Sequence, residues 1–454
     1  MKCHLGGCLA KVPWVIPVPL ALATSGLALV AAAVGLVVSL RGGALWRTGT
    51  PQGGGRVVFV DNCRFVLETM VIAGHILCMV FPKPLPAWQW SIALYMRSFE
   101  LQFFALCSGL LSKGYLTPER AKRSVIRVLA PLVLANAVVL PMAQGKWTSF
   151  EKEYNPYVAL ATTWFLQAWL VWRAVTPFLS TLKPGVMVVA SCVICCASGY
   201  WYTQPGHYFH ADVAFAFLPF YITGYLLPLE SLGVLNKPWV KVAGLVTSVA
   251  YFTFHMWRHE HTHWDAWSVA AGRHHYFDDG HAFKDDPWRY YLAWTQRLSY
   301  QLLFTWPTGV AVLAMVPHEE MFFTEWGSRT MYPFIWQAPA IWLTKRGLKA
   351  WTGSIHLPRM HPVLSVIVLL AGALGLNVFF ASRLTHSWAR FIMEPTWLQG
   401  AFQSDEDLKA LYLPVRGGEA APPQAPKVVE SEAESEESGS SVEEGRGCLH
   451  KLLG

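Results

Sequence analysis

The sequence predicts an all-α fold, a polytopic transmembrane helical bundle of about eleven spans. Three observations predict it. The 454-residue chain is 53% hydrophobic and only 14% charged, with 22 tryptophans, far too apolar for an ordinary soluble domain. Apolar runs close to the ~17 to 25 residues needed to cross a bilayer follow one another along it. Charge is also segregated. Residues 403–454 hold 11 of the 29 acids and five of the 36 Lys and Arg, which leaves 31 basic against 18 acidic residues elsewhere, a net +13. Positive charges scattered between apolar spans fit cytoplasmic loops and not a nucleic-acid surface.

Residues 1–55 are predicted to form an N-terminal membrane helix and linker. The apolar run 13–40 is much longer than the ~7 to 15 residues of a signal-peptide core and lacks a clear small-x-small cleavage site, so it is expected to be a retained helix. A Gly-rich basic linker, "RGGALWRTGTPQGGGR", follows. Ten further spans are expected within a transmembrane domain at 56–400, at about 57–81, 88–112, 124–143, 158–181, 185–201, 211–229, 238–257, 292–317, 330–345 and 361–383. Pro131, Pro219, Pro307 and Pro339 fall inside or beside these spans, where neighbouring helices can satisfy the freed carbonyls. The segment "SKGYLTPERAKRSVIR" is the densest basic cluster in a short connection and is therefore placed in the cytoplasm. That puts Arg64 at the cytoplasmic end of its helix and the loop 258–291 on the far side. "TKRGLKAW" conflicts with this pattern, because Lys345, Arg346 and Lys349 then lie outside. Residues 401–454 are an acidic tail with blocks of like charge and few apolar side chains, expected to be disordered and solvated.

The nine cysteines do not suggest a disulfide framework, since six lie in apolar spans and the rest near the termini. "CVICC" is expected to be small buried packing. Cys3, Cys8 and Cys448 are equally open to palmitoylation or to remaining plain thiols.

The chemistry begins with "DNCRFVLETMVIAGHILCMV", residues 61–80, a span that carries Asp61, Arg64, Glu68 and His75. At 3.6 residues per turn, the eleven-residue step from Arg64 to His75 is three turns plus about 20°, so the two lie on one stripe about 16 Å apart, with Glu68 on it too. An arginine near the bilayer centre costs roughly 2.5 to 3.5 kcal/mol on insertion scales, so the stripe is expected to open onto a single buried, water-filled chamber. Glu68 is expected to pair with Arg64 at i,i+4. In the next span, "SFELQFFALCSGLLSKGYL", Glu100 and Gln102 enter the membrane, and Ser108 and Gly109 are small enough for a neighbouring helix to approach closely.

Arg64 and His75 separated by ten residues, "FALCSG" one helix later, "RSVIRVLAP" after that and "TTWFLQAW", with Trp164, Phe165 and Leu166, together resemble the membrane-bound acyltransferase 3 family. "FLPFYITGYLL" is similar to the family's later Gly-Tyr-Leu span, and "EWGSRTMYPFIWQ" to its penultimate segment. The resemblance covers about residues 56 to 383. The chain differs where many members have a histidine, at Gln337, and carries Thr163 before the Trp-Phe pair.

The resemblance implies acyl transfer from cytoplasmic acyl-CoA, the co-substrate, to an acceptor hydroxyl expected to belong to a carbohydrate, with lipid as surroundings and no cofactor or metal. Such transfer needs the hydroxyl proton removed as the oxygen attacks, and a histidine with a reference pKa near 6.5 suits that work at neutral pH. His75 is the expected catalytic base. Arginine forks match phosphate oxygens, so Arg64, with Arg123 and Arg127 from the basic segment, is expected to hold the CoA phosphates. Ser108 and Trp164 are expected to shape the site. Two alternatives come from other classes. One is a transporter or receptor-like protein whose buried charges serve permeation or gating. The other is a metal-dependent oxidoreductase using the loop "HMWRHEHTHWDAWSVAAGRHHYFDDGH", which holds seven of the 16 histidines: 255, 259, 261, 263, 274, 275 and 281.

Overall fold

A computed structural model describes residues 57–82, 85–113, 122, 125–139, 163–199, 211–262, 294–295, 297–357, 360–395 and 397. The expected helix at 13–40, Arg123 and the acidic tail lie outside these residues. Among the described residues every regular element is helical and no strand occurs. Three helices are long and apolar enough to cross a membrane, Val58–Met79, Arg297–Met315 and Pro362–Ala381. A fourth span arises if Val213–Leu226 and Leu229–Asn236, which meet at 96°, are taken together.

Helix α1 (Val58–Met79) lies at the centre of one half of the bundle, against α2 (Ala87–Arg97), α3 (Glu100–Leu110), α10 (Thr324–Gly327), α11 (Met331–Thr352) and α12 (Pro362–Ala381). The other half gathers on α7 (Ala211–Leu226), which packs on α3, α5 (Trp164–Leu179) and α6 (Pro184–Ser198). Helix α8 (Pro238–Thr262) joins α9 (Trp306–Met315) to α2. The short α4 (Ala130–Leu134) sits between π-helical turns, and α13 (Arg383–Met393) follows α12 directly.

Two expected spans differ in form. Residues 88–112 make two eleven-residue helices, α2 and α3, with a break at Ser98 and Phe99. Each is about 16 Å long, half the thickness of the hydrocarbon core. The break is bridged by a buried ion pair, Arg97 Nη1 to Glu100 Oε1 at 2.7 Å. Conversely, 330–345 extends to Thr352, so "TKRGLKAW" belongs to the last turns of α11 and not to a loop. Arg346 there covers the ring of Trp342 at 3.6 Å, which shelters its charge on an aromatic face. Gly353 ends α11 at φ 75°, a left-handed geometry that favours glycine.

The helices are joined by close backbone approach and by polar side chains. A Cβ on Gly109 would stand 2.0 Å from the Tyr221 carbonyl oxygen, and one on Gly224 2.0 Å from the Leu106 carbonyl oxygen. Small residues on both partners thus let α3 and α7 meet backbone to backbone, as expected for Gly109. Trp172 Nε1 donates to the Ala214 carbonyl at 2.6 Å and ties α5 to α7. Asn377 Nδ2 on α12 donates to Phe65 O at 3.1 Å and to Thr69 Oγ1 at 2.7 Å. Asn62, fully buried on α1, donates to the carbonyls of Pro317 and Glu319 and accepts from Thr324 Oγ1 at 2.6 Å.

Gly109→Ala forces the α3–α7 contact apart and should cost about 1 to 3 kcal/mol, as overpacking does. Gly347→Ala, on an exposed turn of α11 with nothing within 4 Å of the new Cβ, should be neutral or stabilising. Thermal melts of the purified variants separate the two.

Outside the spans, Glu325 joins α10 to the turn before α11 and to α13. It accepts from Arg329 Nη2 at 2.7 Å and Arg383 Nη2 at 3.2 Å. The hydrogen bond from Arg383, then the nearby charge of Arg329, holds its carboxyl below the usual glutamate range. A depressed folded value means that this contribution is full above the unfolded value of 4.5 and is lost as pH falls through the folded one. The difference in melting temperature between the native protein and Glu325→Gln should therefore be constant near neutrality and shrink below about pH 4.5. It should be small throughout, because the group is exposed to solvent.

Candidate active site

The stripe on α1 resolves into three environments. Arg64, with 19% of its side chain exposed, pairs with Asp61 at 3.5 Å, one turn toward the helix start. The expected i,i+4 pair with Glu68 is replaced by this i,i+3 pair. Glu68 itself is fully buried and turns to α11, where its Oε1 accepts from Gln337 Nε2 at 3.1 Å. Gln337 Nε2 also donates to the Phe334 carbonyl at 3.2 Å. The amide oxygen of the same side chain lies 3.3 Å from His75 Nδ1. Glu68 and His75 are seven residues apart, close to two helical turns, so one amide on a facing helix can reach both.

A second carboxylate approaches from α3. Glu100, buried and paired with Arg97, has its Oε2 3.8 Å from the place a Cβ on Gly74 would occupy, beside His75. The absence of a side chain at Gly74 leaves room for it. Glu68 and Glu100 are near enough for their charges to interact.

On the Arg64 side a cavity of about 190 Å³ opens between α1, α3, α5 and α11. Its walls include Arg64, Ser108, Phe165, Trp169, Arg173 and Phe334, and it holds two guanidiniums and no carboxylate. Arg173 lies over the ring of Trp169, 4.0 Å from its centroid. Ser108 reaches the cavity while its hydroxyl donates to the Phe104 carbonyl at 2.9 Å, a packing bond within its own helix.

The lining does not include His75, so this cavity is not the single chamber expected to join His75 to Arg64. Phe334 contributes to both places: its side chain walls the cavity, and its carbonyl oxygen accepts from Gln337. Trp164 is buried against Phe217, ring centroids 5.9 Å apart, and lies outside the lining. The indole in the wall is Trp169. Arg127 is exposed on the π-helical turn Val125–Leu129, whose Val128 reaches the cavity, and Arg123 lies outside the described residues.

Of the seven loop histidines, His255, His259 and His261 fall on α8, which runs past its expected end to Thr262. His255 is buried, with its ring against Phe254 and Phe304. The other four lie outside the described residues. Among the described residues no group of three potential metal ligands converges.

Arg173, Glu100 and the bridging place of Gln337 were not assigned roles from sequence. A signal for Arg173 was available, since Trp169 and Arg173 stand at i,i+4 in "AWLVWR" and so share a helix face. No comparable signal links residue 337 to residues 68 and 75.

The acyltransferase 3 family model, described as an acyltransferase domain, matches residues 57–382. No curated protein and no solved structure matches the chain.

Guanidiniums beside an aromatic wall are groups that can pair with phosphate oxygens, which makes anion binding at this cavity testable. Inorganic pyrophosphate should quench or shift tryptophan fluorescence through Trp169. Arg64→Gln and Arg173→Gln should each weaken that binding by about tenfold or more, one charge-assisted hydrogen bond's worth. Raising the salt concentration should weaken it further.

Proposed function

The chain belongs to the acyltransferase 3 family, and from that premise we propose that it is a multi-pass membrane O-acyltransferase. It moves an acyl group, expected to be acetyl, from acyl-CoA to the hydroxyl of an acceptor, expected to be a carbohydrate. The observation that carries this proposal is the division of labour along α1, with Arg64 at an anion-suited cavity and His75 three turns deeper in a polar cluster.

The phosphates of acyl-CoA would lie at Arg64 and Arg173, approached past Arg127 on the basic segment, to which Arg123 also belongs in sequence. The acyl arm would then run the roughly 16 Å along α1 toward His75, past Phe334. Ser108 forms a wall of the entrance, and Trp164, the first residue of α5, packs against Phe217 of α7. Glu68 acts on the base through Gln337. At the reacting end, His75 takes the acceptor's hydroxyl proton as the oxygen attacks the thioester carbonyl. The C–O bond forms, the tetrahedral intermediate collapses, and the C–S bond breaks. The departing thiolate recovers the proton from the imidazolium, so the histidine is neutral again after each turnover.

Purified full-length protein with labelled acetyl-CoA and a panel of hydroxylated acceptors tests this. His75→Ala should lose roughly 10²- to 10⁴-fold in turnover, the usual worth of a general base. Normal turnover in that variant, with its fold intact, would reject the assignment.

A further inference from the structure

Resting on the assignment of His75 as the base, we propose that Gln337 is its positioning residue. It holds the imidazole as the Nδ1–H tautomer, which puts the basic lone pair of the neutral ring on Nε2. The argument turns on which way round the amide sits. Gln337 Nε2 faces two oxygens, Glu68 Oε1 at 3.1 Å and the Phe334 carbonyl at 3.2 Å, and its two hydrogens serve both. Turned over, the amide would set its own oxygen against the Phe334 carbonyl, which cannot donate in any protonation state. The amide oxygen therefore faces His75 Nδ1, 3.3 Å away, and because an amide oxygen only accepts, Nδ1 must carry the hydrogen.

The same geometry explains why a glutamine can stand here. The carboxyl group of the cluster, Glu68, is kept one residue further back, and its contact with the ring runs through the amide. Gln337 is fully buried on α11, so its rotamer is held by packing as well as by three hydrogen-bonding contacts. The residue touches neither acyl donor nor acceptor in this scheme. It acts through His75, as the outer partner of a functional histidine does elsewhere.

The test is the tautomer of His75 in full-length protein labelled with ¹⁵N-histidine in lipid nanodiscs, its signals assigned as those lost in His75→Ala. Near neutral pH the native protein should show a protonated Nδ1 and a bare Nε2. Gln337→Leu should release the ring toward the Nε2–H form that free imidazole prefers. It should also lower kcat by on the order of 10- to 100-fold, with KM for acetyl-CoA little changed. An Nε2-protonated His75 in the native protein overturns the proposal, and that measurement decides the point even where Gln337→Leu does not fold. Unchanged tautomer and kcat in a folded Gln337→Leu overturn it equally. Failure of the underlying function looks different: His75→Ala would then transfer acyl groups normally, whatever the tautomer.

Discussion

The arrangement depends on one constraint: polar side chains carried into an apolar interior must find partners on other helices. Helix α1 carries more of them than any apolar span could hold alone, and each becomes a point of attachment. Asn62 binds the segment leading into α10, Phe65 and Thr69 receive Asn377 from α12, and Glu68 and His75 share Gln337 on α11. In hydrocarbon, where helix association has little hydrophobic drive, such contacts and close packing set the geometry. The same side chains that make α1 costly to bury therefore make its surroundings specific.

The second half of the bundle is built by the other device. Glycines at 109 and 224 let α3 and α7 meet along their backbones, and large aromatics fill the space around that contact, with Trp172 stacked on Tyr221 at 5.2 Å. Helix α3 thus belongs to both halves. Its N-terminal end brings Glu100 to α1 and its C-terminal end packs into α7, while Ser108, between them, reaches the cavity. A helix only eleven residues long can do this because the break at Ser98 and Phe99 frees it from the direction of α2, and the buried Arg97–Glu100 pair holds the joint.

Two kinds of polarity lie apart along α1. The cavity is walled by Arg64, Arg173 and aromatic rings, whereas the cluster around His75 contains carboxyl groups and an amide. Phe334 lines the first with its side chain and accepts from the amide of the second through its carbonyl. In the proposed reaction the donor's anionic end would use the first and its reactive end the second, with one helix setting the spacing.

How much of this was legible in the chain itself can be judged residue by residue. The all-helical class and the stripe of Arg64, Glu68 and His75 follow from composition and from the 3.6-residue period, because these are properties of one segment at a time, while the family was legible as a resemblance in the order of motifs such as "FALCSG" and "RSVIRVLAP". Where a helix breaks was not legible: 88–112 reads as one apolar run, and only the Arg97–Glu100 pair reveals the joint. Nor were partners across space. Arg64 chose Asp61 over Glu68, Trp169 took the wall position expected of Trp164, and Gln337 met two residues more than 260 positions earlier in the chain. Local periodicity determines which side chains share a face; which of them meet is decided only when the helices pack.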